Sequence, residues 1–552
     1  MLNFTFQVKL KQKMLRLSTF QQKFVTFLYF PSITRATYES SQFRNFWSVK
    51  KSEEEKCKED GQPTKPAADE AFKVPESWSQ PKVVVIGAGI AGLSAAHRLV
   101  QCGLCDVTIL EATDRPGGRI QSCWFTNSVA ELGASLIEGA CVANSVYNLA
   151  VMERLLQSPV VRQGPSKGLF YSSRGKPIET SVAHKAYAVF RQIESMAISL
   201  YGSEICSEDA NLDVFMNSHI RRELMHFPES ERQGALMVMN NYLTSIKERM
   251  GASLECVNTK YYGSLPSLPG GNVKIPVGFV GVLAPLIRDI PDCTIKYCKP
   301  VECIRWDACE ADRPRACVQC TEDESYEADY VVITTPLGFL KDKASSFFVP
   351  NLPAKKMEAI NNLGFGHSNN LFLQFPEPMW LRDEGNIMFA WHPDDFSKTN
   401  SWVKGLTSLR IDDKSGQVLT GVVSGKDAIT METLDADQIM TDIQKQMQTF
   451  LGNPTIPKPS IILRSKWSTN VYSQGAFTYI STDSGLGHIK DLADPVPEPC
   501  QSETPVLLFA GEHTSHRNYS TTHGARDSGI REANRILNYT KELRGAPSKQ
   551  KN

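Results

Sequence analysis

The chain has 552 residues, 60 of them Lys or Arg and 60 Asp or Glu, so it carries no formal net charge. That balance offers nucleic acid no bulk field, and the length exceeds one ordinary core, so two domains are expected. Hydrophobic residues make up 41% with no run as long as a membrane helix, and the 14 cysteines are scattered, as free thiols in a reducing compartment are.

Residues 1–50 hold eight Lys or Arg against one acid, Glu39, with many Ser, Thr and Phe. This fits a mitochondrial transit peptide or a disordered basic extension. Residues 50–78 are charged and contain Pro, so 1–79 reads as extension plus linker. Lys82–Ile86 is an apolar β-branched run, as a buried parallel strand requires. Gly87-Ala88-Gly89 and Gly92 then spell G-x-G-x-x-G, and Leu93, Ala96, Leu99 and Val100 recur at helical spacing. Val107–Leu110 makes a second strand ending on Glu111, 19 residues past Gly92. This is a dinucleotide-binding βαβ unit. Gly87 makes the tight turn, Gly89 admits a pyrophosphate, and Gly92 packs helix on strand. The helix start offers free N–H groups, and Glu111 stands where an acid binds ribose hydroxyls.

After Glu111 the chain reads Ala-Thr-Asp-Arg-Pro-Gly117-Gly118-Arg119. A nicotinamide dehydrogenase has no general need for this second glycine pair and arginine. An extended flavin dinucleotide does: the glycines let the chain pass close, and the Arg119 fork can pair with the pyrophosphate. This E-A-x-x-x-x-G-G-R resembles the FAD-binding signature of the flavin amine oxidases.

From Val182, apolar residues at Ala186, Val189, Ile193, Met196 and Leu200 predict a helix, and the chain reads as mainly helical to Tyr262 without a chemical motif. Val301–Ile304 and Ala316–Cys320 alternate as strands, and Tyr326–Gly338 reads as one buried strand ending in a turn. Cys303 and Cys309 are not paired at metal spacing with Cys317 and Cys320, and no His is close, so these are read as hairpin thiols and no metal is expected. Phe372–Phe375 reads as a strand and Thr433–Leu451 as a helix. Val506–Glu512 is a strand closing on Gly-Glu, followed by His513 through Ala525 and a helix through Arg535. This last block resembles the family's G-E-H-T…H-G-A.

The resemblance covers roughly residues 80–545. It implies an α/β fold with a Rossmann-like FAD-binding domain assembled from 80–165, 269–340 and 456–545. A mixed α+β substrate domain takes 166–268, mainly helical, and 341–455; residues 546–552 are a tail. It also implies site roles. Gly133 and Ala134 lie in the Ala130–Gly139 segment that passes the flavin, and Val301 matches the position touching adenine. Glu512 binds the ribityl–pyrophosphate region, and the N–H groups around Ser520, Thr521 and Thr522 meet the flavin pyrimidine. Trp467 opens a strand flanking the flavin. Ala476 stands where monoamine oxidases carry the cysteine that attaches FAD, so FAD is expected to bind without a covalent link.

Histone demethylases of the family have a helical domain before the flavin domain and a coiled-coil insertion; no sustained heptads occur here. The run Gly452–Trp467 and the Ser520–Ala525 block look like the polyamine oxidases, particularly the spermine-oxidase branch. That likeness implies oxidation of spermine, spermidine or their acetylated forms to an imine, which hydrolyses to aldehyde plus amine while O2 becomes H2O2. Glu138 would meet the polycation, Phe477 is one half of the aromatic clamp, and Thr521 takes the other ring's place. Asn370 stands where the family has a lysine, water-bonded to flavin N5, which implies slowed turnover. A silent flavin- or polyamine-binding pseudoenzyme, and a monoamine or histone-lysine oxidase, are the other readings. A monomer working on small molecules in the cytoplasm is expected, or in the mitochondrion if the basic extension is a transit peptide.

Overall fold

A five-stranded, all-parallel sheet organises the structure, in the order Leu507–Phe509, Tyr330–Ile333, Val83–Ile86, Val107–Leu110, Ile295–Lys296. The computed structural model describes residues 80–126, 128–156, 162–163, 168–203, 211–306, 315–378, 385–399, 401–411, 416–498 and 504–545. The N-terminal extension, Cys309 and the tail expected at 546–552 lie outside the described residues. The strands VVVI, YVVI and LLF are buried throughout, as a sheet covered on both faces requires. The helices Ile90–Gln101 and Thr522–Gly545 pack on one another beside it. Gly92 permits the first turn: a Cβ there would lie 2.0 Å from the Gly87 carbonyl oxygen.

The stretch Tyr326–Gly338 is not one strand. Ser325–Ala328 pairs antiparallel with Ala316–Cys320, which pairs with Val301–Trp306, while Tyr330–Ile333 leaves for the parallel sheet. The break is anchored at Asp329. Its carboxylate accepts the Lys82 N–H at 2.7 Å, and the Asp329 and Tyr330 N–H groups both bond to the Lys82 carbonyl. Apolar periodicity continues across the break, so it carries no mark of the change of sheet.

A six-stranded sheet runs Ile461–Arg464, Ser368–Gln374, Val418–Ser424, Ser408–Ile411, Asn386–Ala390, Gly168–Ser172. Alternation sorts its faces. Phe170, Met388 and Ala390 share a core with the helices Thr180–Ser199, Leu212–Leu224 and Glu229–Met250. Ile387, Phe389, Leu371 and Leu373 share another with Gly425–Thr433 and Ala436–Leu451. Of the stretch expected as one helix, Thr433–Leu451, Ala436–Leu451 is helical, and Thr433 is the last residue of the preceding helix, Gly425–Thr433. Asp435 starts Ala436–Leu451 by accepting the Gln438 N–H at 2.8 Å. The C-terminal helix continues past Arg535 to Gly545.

Candidate active site

A cavity of about 890 Å³ opens at Gly87 and Glu111, at the carboxyl edge of the parallel sheet, and reaches Trp467, Phe477 and Glu138. The strand Val83–Ile86 ends in Gly87 at φ 101°, and the helix starts at Ile90 with no side chain capping it at Gly89. Gly89, Ile90 and Ala91 all line the cavity, so the helix start faces it. A Cβ on Gly89 would meet nothing within 4 Å, which leaves an open cradle. Glu111 is buried and accepts from Ala88 N at 2.8 Å, Thr113 N at 2.9 Å and Thr113 Oγ1 at 2.7 Å. Val301 lines the same end, whereas Ala88 and Gly92 are buried behind the wall.

Two buried polar atoms on residues of this wall, Thr335 Oγ1 and His523 Nε2, have no hydrogen-bond partner. Native interiors seldom leave such groups unpaired. The open glycine cradle, the uncapped helix start and these two orphaned groups fit an extended, polar, phosphate-bearing cofactor.

One carboxylate joins three distant segments at the middle of the cavity. Glu512, 5% exposed, accepts from Arg119 Nη1 at 2.9 Å, Thr478 Oγ1 at 3.1 Å and Ser520 N at 3.0 Å. Burial would raise its pKa, but the Arg119 charge prevails and holds it below the ordinary carboxylate value. Arg119 Nη1 also donates to the Ala476 carbonyl at 2.7 Å. Glu512 is thus held by protein donors and lines the cavity beside Arg119. Ser520 turns the chain at φ 63°, and Thr521 Oγ1 caps the last helix, accepting the Gly524 N–H at 3.0 Å. Ser520, Thr521 and Thr522 lie on the wall with Phe477, Gly133 and Ala134.

Trp467 lies on the wall but not in a strand. It follows the strand Ile461–Arg464 in an irregular segment, and pairing resumes only at Phe477–Tyr479. Side chains here take the place of a ladder partner. Asn369 Oδ1 accepts the Trp467 N–H at 3.2 Å, and Glu432 accepts Ser468 N at 2.9 Å and Thr469 N at 2.7 Å. The indole N–H of Trp467 donates to the Leu132 carbonyl at 2.9 Å. Asn370, on the strand Ser368–Gln374, donates through Nδ2 to the Glu131 carbonyl at 2.9 Å and lines the cavity.

The helical stretch through Tyr262, expected to carry no chemistry, supplies Glu248, Arg249, Met250 and Tyr262 to the wall. The helix Glu229–Met250 stops at Gly251, φ 66°, whose carbonyl accepts the His367 N–H at 2.7 Å. A Cβ on Gly251 would sit 2.9 Å from Gly366 Cα, so glycine lets this helix end dock beside the strand bearing Asn370. Burial pushes the Glu248 carboxyl up to about 7, against bonding from Thr407 and the charge of Arg410. Glu138 is exposed and lines the cavity; desolvation by the surrounding protein raises its pKa and Arg249 opposes that rise. Charges closing a helix read alike in sequence whether they face solvent or a cavity, which is why these were missed.

A glycine cradle at a helix start, continuous with a walled pocket, is an arrangement that suits a cofactor-dependent oxidoreductase. The family model described as flavin containing amine oxidoreductase matches residues 90–537, and the chain belongs to that family. Its relatives include polyamine oxidases and, at 27% identity, the human lysine-specific histone demethylase 2. The chain is 32% identical over 495 residues to the human peroxisomal N(1)-acetyl-spermine/spermidine oxidase, covering 84% of this chain and 96% of that one. It is 28% identical to polyamine oxidase 1 of Oryza sativa subsp. japonica, covering 83% and 98%. Wild-type putrescine oxidase, solved with putrescine bound, superposes with a TM-score of 0.61 over 83% of this chain and 99% of that one; at 17% identity it shares the fold. Among the described residues no helix is long and apolar enough to cross a membrane.

Proposed function

We propose that this chain is an FAD-dependent polyamine oxidase acting on spermine, spermidine or their acetylated derivatives, with FAD held non-covalently. The observation that carries this reading is the continuity of one cavity, from the Gly87–Gly89 cradle to a pocket bearing Asn370, Phe477 and Glu138. When bound, FAD supplies the two-electron chemistry that converts amine to imine and dioxygen to hydrogen peroxide. The backbone at Gly87–Gly89 holds the pyrophosphate, Glu111 the ribose and Val301 the adenine. Glu512 fixes the Arg119 fork, and the helix start at Ser520–Thr522 offers N–H groups to the pyrimidine end. Trp467 and Phe477 wall the reacting end and exclude water. Glu138 draws an ammonium by Coulomb attraction, about 1–4 kcal/mol at ~4 Å. Asn370 can orient a water but offers no ammonium, so turnover is slowed. The flavin domain of this reading takes 80–165, 269–340 and 456–545, and the substrate domain 166–268 and 341–455.

The test is anaerobic flavin reduction by a panel of spermine, spermidine and N1-acetylspermine, followed by peroxide release on admitting air. Bleaching of the flavin by any of them supports the reading. Flavin-loaded protein that none of them reduces overturns it in favour of the pseudoenzyme, for which Asn370 is the specific observation.

A further inference from the structure

We infer that Lys341 captures an aldehyde as an imine, in a second cavity that lies apart from the flavin cleft and suits an aldehyde whose other end is an ammonium. The capture site stands on its own geometry; that such an aldehyde arises beside it rests on the amine-oxidase reading.

This cavity, about 580 Å³, shares no wall residue with the cleft. It is walled by the helix Leu337–Phe347, the end of the helix Ala354–Asn362 and the paired strands Gly364–Gly366 and Phe477–Tyr479. Phe365 links the two spaces. It is on the wall of this one, and the Arg119 guanidinium, on the wall of the cleft, lies 5.6 Å from its ring centre.

The cavity holds an amine and a carboxylate that are both unspent. Lys341 is exposed on its wall; Nζ donates to the Asn361 carbonyl at 2.6 Å and has no carboxylate partner among the described residues. Its neighbour in sequence, Asp342, is taken by Lys343 at 3.1 Å and by Gln474 Nε2 at 2.9 Å. Asp483, exposed on the same wall, makes no hydrogen bond or ion pair to any described residue. The remaining titratable groups on this wall bring no charge to Lys341. His367 Nδ1 lies 3.0 Å from Ser468 Oγ and desolvation lowers its pKa, while the Tyr479 hydroxyl is pushed up to about 12. With no charge to oppose it, desolvation by the surrounding protein lowers the Lys341 pKa to about 8.

A neutral lysine amine is a nucleophile where an ammonium is not. Its lone pair bonds to the aldehyde carbon, the carbonyl oxygen takes a proton, and the carbinolamine loses water to leave C=N. Aldehyde and amine go in, imine and water come out, and nothing is oxidised or reduced. Asp483 supplies the opposite charge for an ammonium on the rest of the ligand. Oxidation of an unmodified polyamine leaves an aldehyde that still carries an amine, so the reaction proposed for the cleft supplies this class of ligand. A Lys341 that merely holds the Asn361 carbonyl would react like any exposed lysine.

The test treats the flavin-loaded enzyme at pH 7 with 3-aminopropanal or propanal and cyanoborohydride, which reduces an imine to a stable amine. Peptide mass spectrometry then reads the labelling rate of each lysine. At pH 7 a pKa near 8 leaves roughly 300-fold more neutral amine than the ordinary value does, and the weaker nucleophilicity of a weaker base reduces that gain to roughly 20-fold. Lys341, in part solvated, should label about 10-fold faster than Lys398, which is exposed and makes no ion pair to any described residue. Aminopropanal should lead propanal at Lys341, and Asp483→Asn should remove that lead while propanal labelling stays. Cys256, a thiol on the same wall, forms no adduct that cyanoborohydride fixes, so the label reports the lysine. Lys341 labelled no faster than Lys398 overturns the inference. Equal rates for the two aldehydes, or a lead unchanged in Asp483→Asn, overturns the ammonium end of it. A last arm replaces the added aldehyde with spermine, spermidine or N1-acetylspermine in air. Selective Lys341 labelling by added aldehyde, with no peroxide from any amine, upholds the capture site and sinks the oxidase reading; peroxide without selective labelling does the reverse.

Discussion

Two alanine substitutions three residues apart should have opposite effects. Gly89 has φ −70° and ψ 173°, ordinary extended backbone, and a Cβ there meets nothing within 4 Å. Gly89→Ala therefore introduces no clash. Its loss of about 1 kcal/mol at a helix N-cap is offset by ~0.4–1 kcal/mol from a less flexible unfolded chain. The methyl does, however, fill the cradle beside the free N–H groups. If it breaks one such bond to a phosphate, about 1.5–3 kcal/mol of flavin affinity is lost, roughly 10- to 150-fold. At Gly92 the added Cβ would lie 2.0 Å from the Gly87 carbonyl oxygen and 3.2 Å from its carbon, and backbone cannot swing aside. Gly92→Ala should cost at least the ~1–3 kcal/mol typical of overpacking. The assay compares flavin-to-protein ratio after gel filtration with the thermal melt followed by circular dichroism. Gly89→Ala should lose flavin while melting close to the flavin-stripped wild type, and Gly92→Ala should melt several degrees lower. A Gly89→Ala protein that keeps its flavin, or a Gly92→Ala protein that melts with the wild type, refutes the placement of the cradle or of the turn.

Acid or heat denaturation should release the yellow chromophore into the supernatant, because Ala476 offers no thiol; colour that stays with the pellet would contradict this. Glu138→Gln should weaken spermine binding at unchanged flavin content. Since desolvation raises the Glu138 pKa and a cation needs the carboxylate, wild-type spermine affinity should fall as pH drops through that raised value. The glutamine variant should lose that pH dependence, and matching profiles would assign Glu138 no part in binding. Asn370→Lys should speed one flavin half-reaction by up to ~10²-fold, read by stopped-flow absorbance, the scale typical of one positioned catalytic group. Normal flavin content with neither half-reaction faster would mean that the position or the role is misassigned. Lys356 Nζ donates to the carbonyls of Asp491 and Leu492 at 2.9 Å and Asp494 at 2.6 Å, closing the helix Leu486–Ala493. Lys356→Met leaves these acceptors unpaired at ~1 kcal/mol or more each, so urea should unfold it at a clearly lower midpoint.

The glycine turn and the acid at one end of the cavity were legible in the chain itself. Gly87, Gly89, Gly92 and Glu111 belong to one βαβ turn, where closeness in sequence is closeness in space. The C-terminal block from Glu512 to Ala525 is likewise local: a strand end, a turn at Ser520 and a helix start capped by Thr521. What the tertiary structure alone decided involves partners far apart along the chain. The strand after Tyr326 changes sheets because Asp329 bonds to Lys82, 247 residues away. Trp467 leaves the strand because the side chains of Asn369 and Glu432 accept its segment's N–H groups in place of a ladder. Glu248 and Arg249 reach the cavity because Gly251 can touch Gly366, and nothing in the local pattern of a charged helix end says which surface it meets. Local dihedral and burial preferences write the elements into the sequence; which charged end faces which cavity is set by packing between elements, and only the assembled fold contains that information.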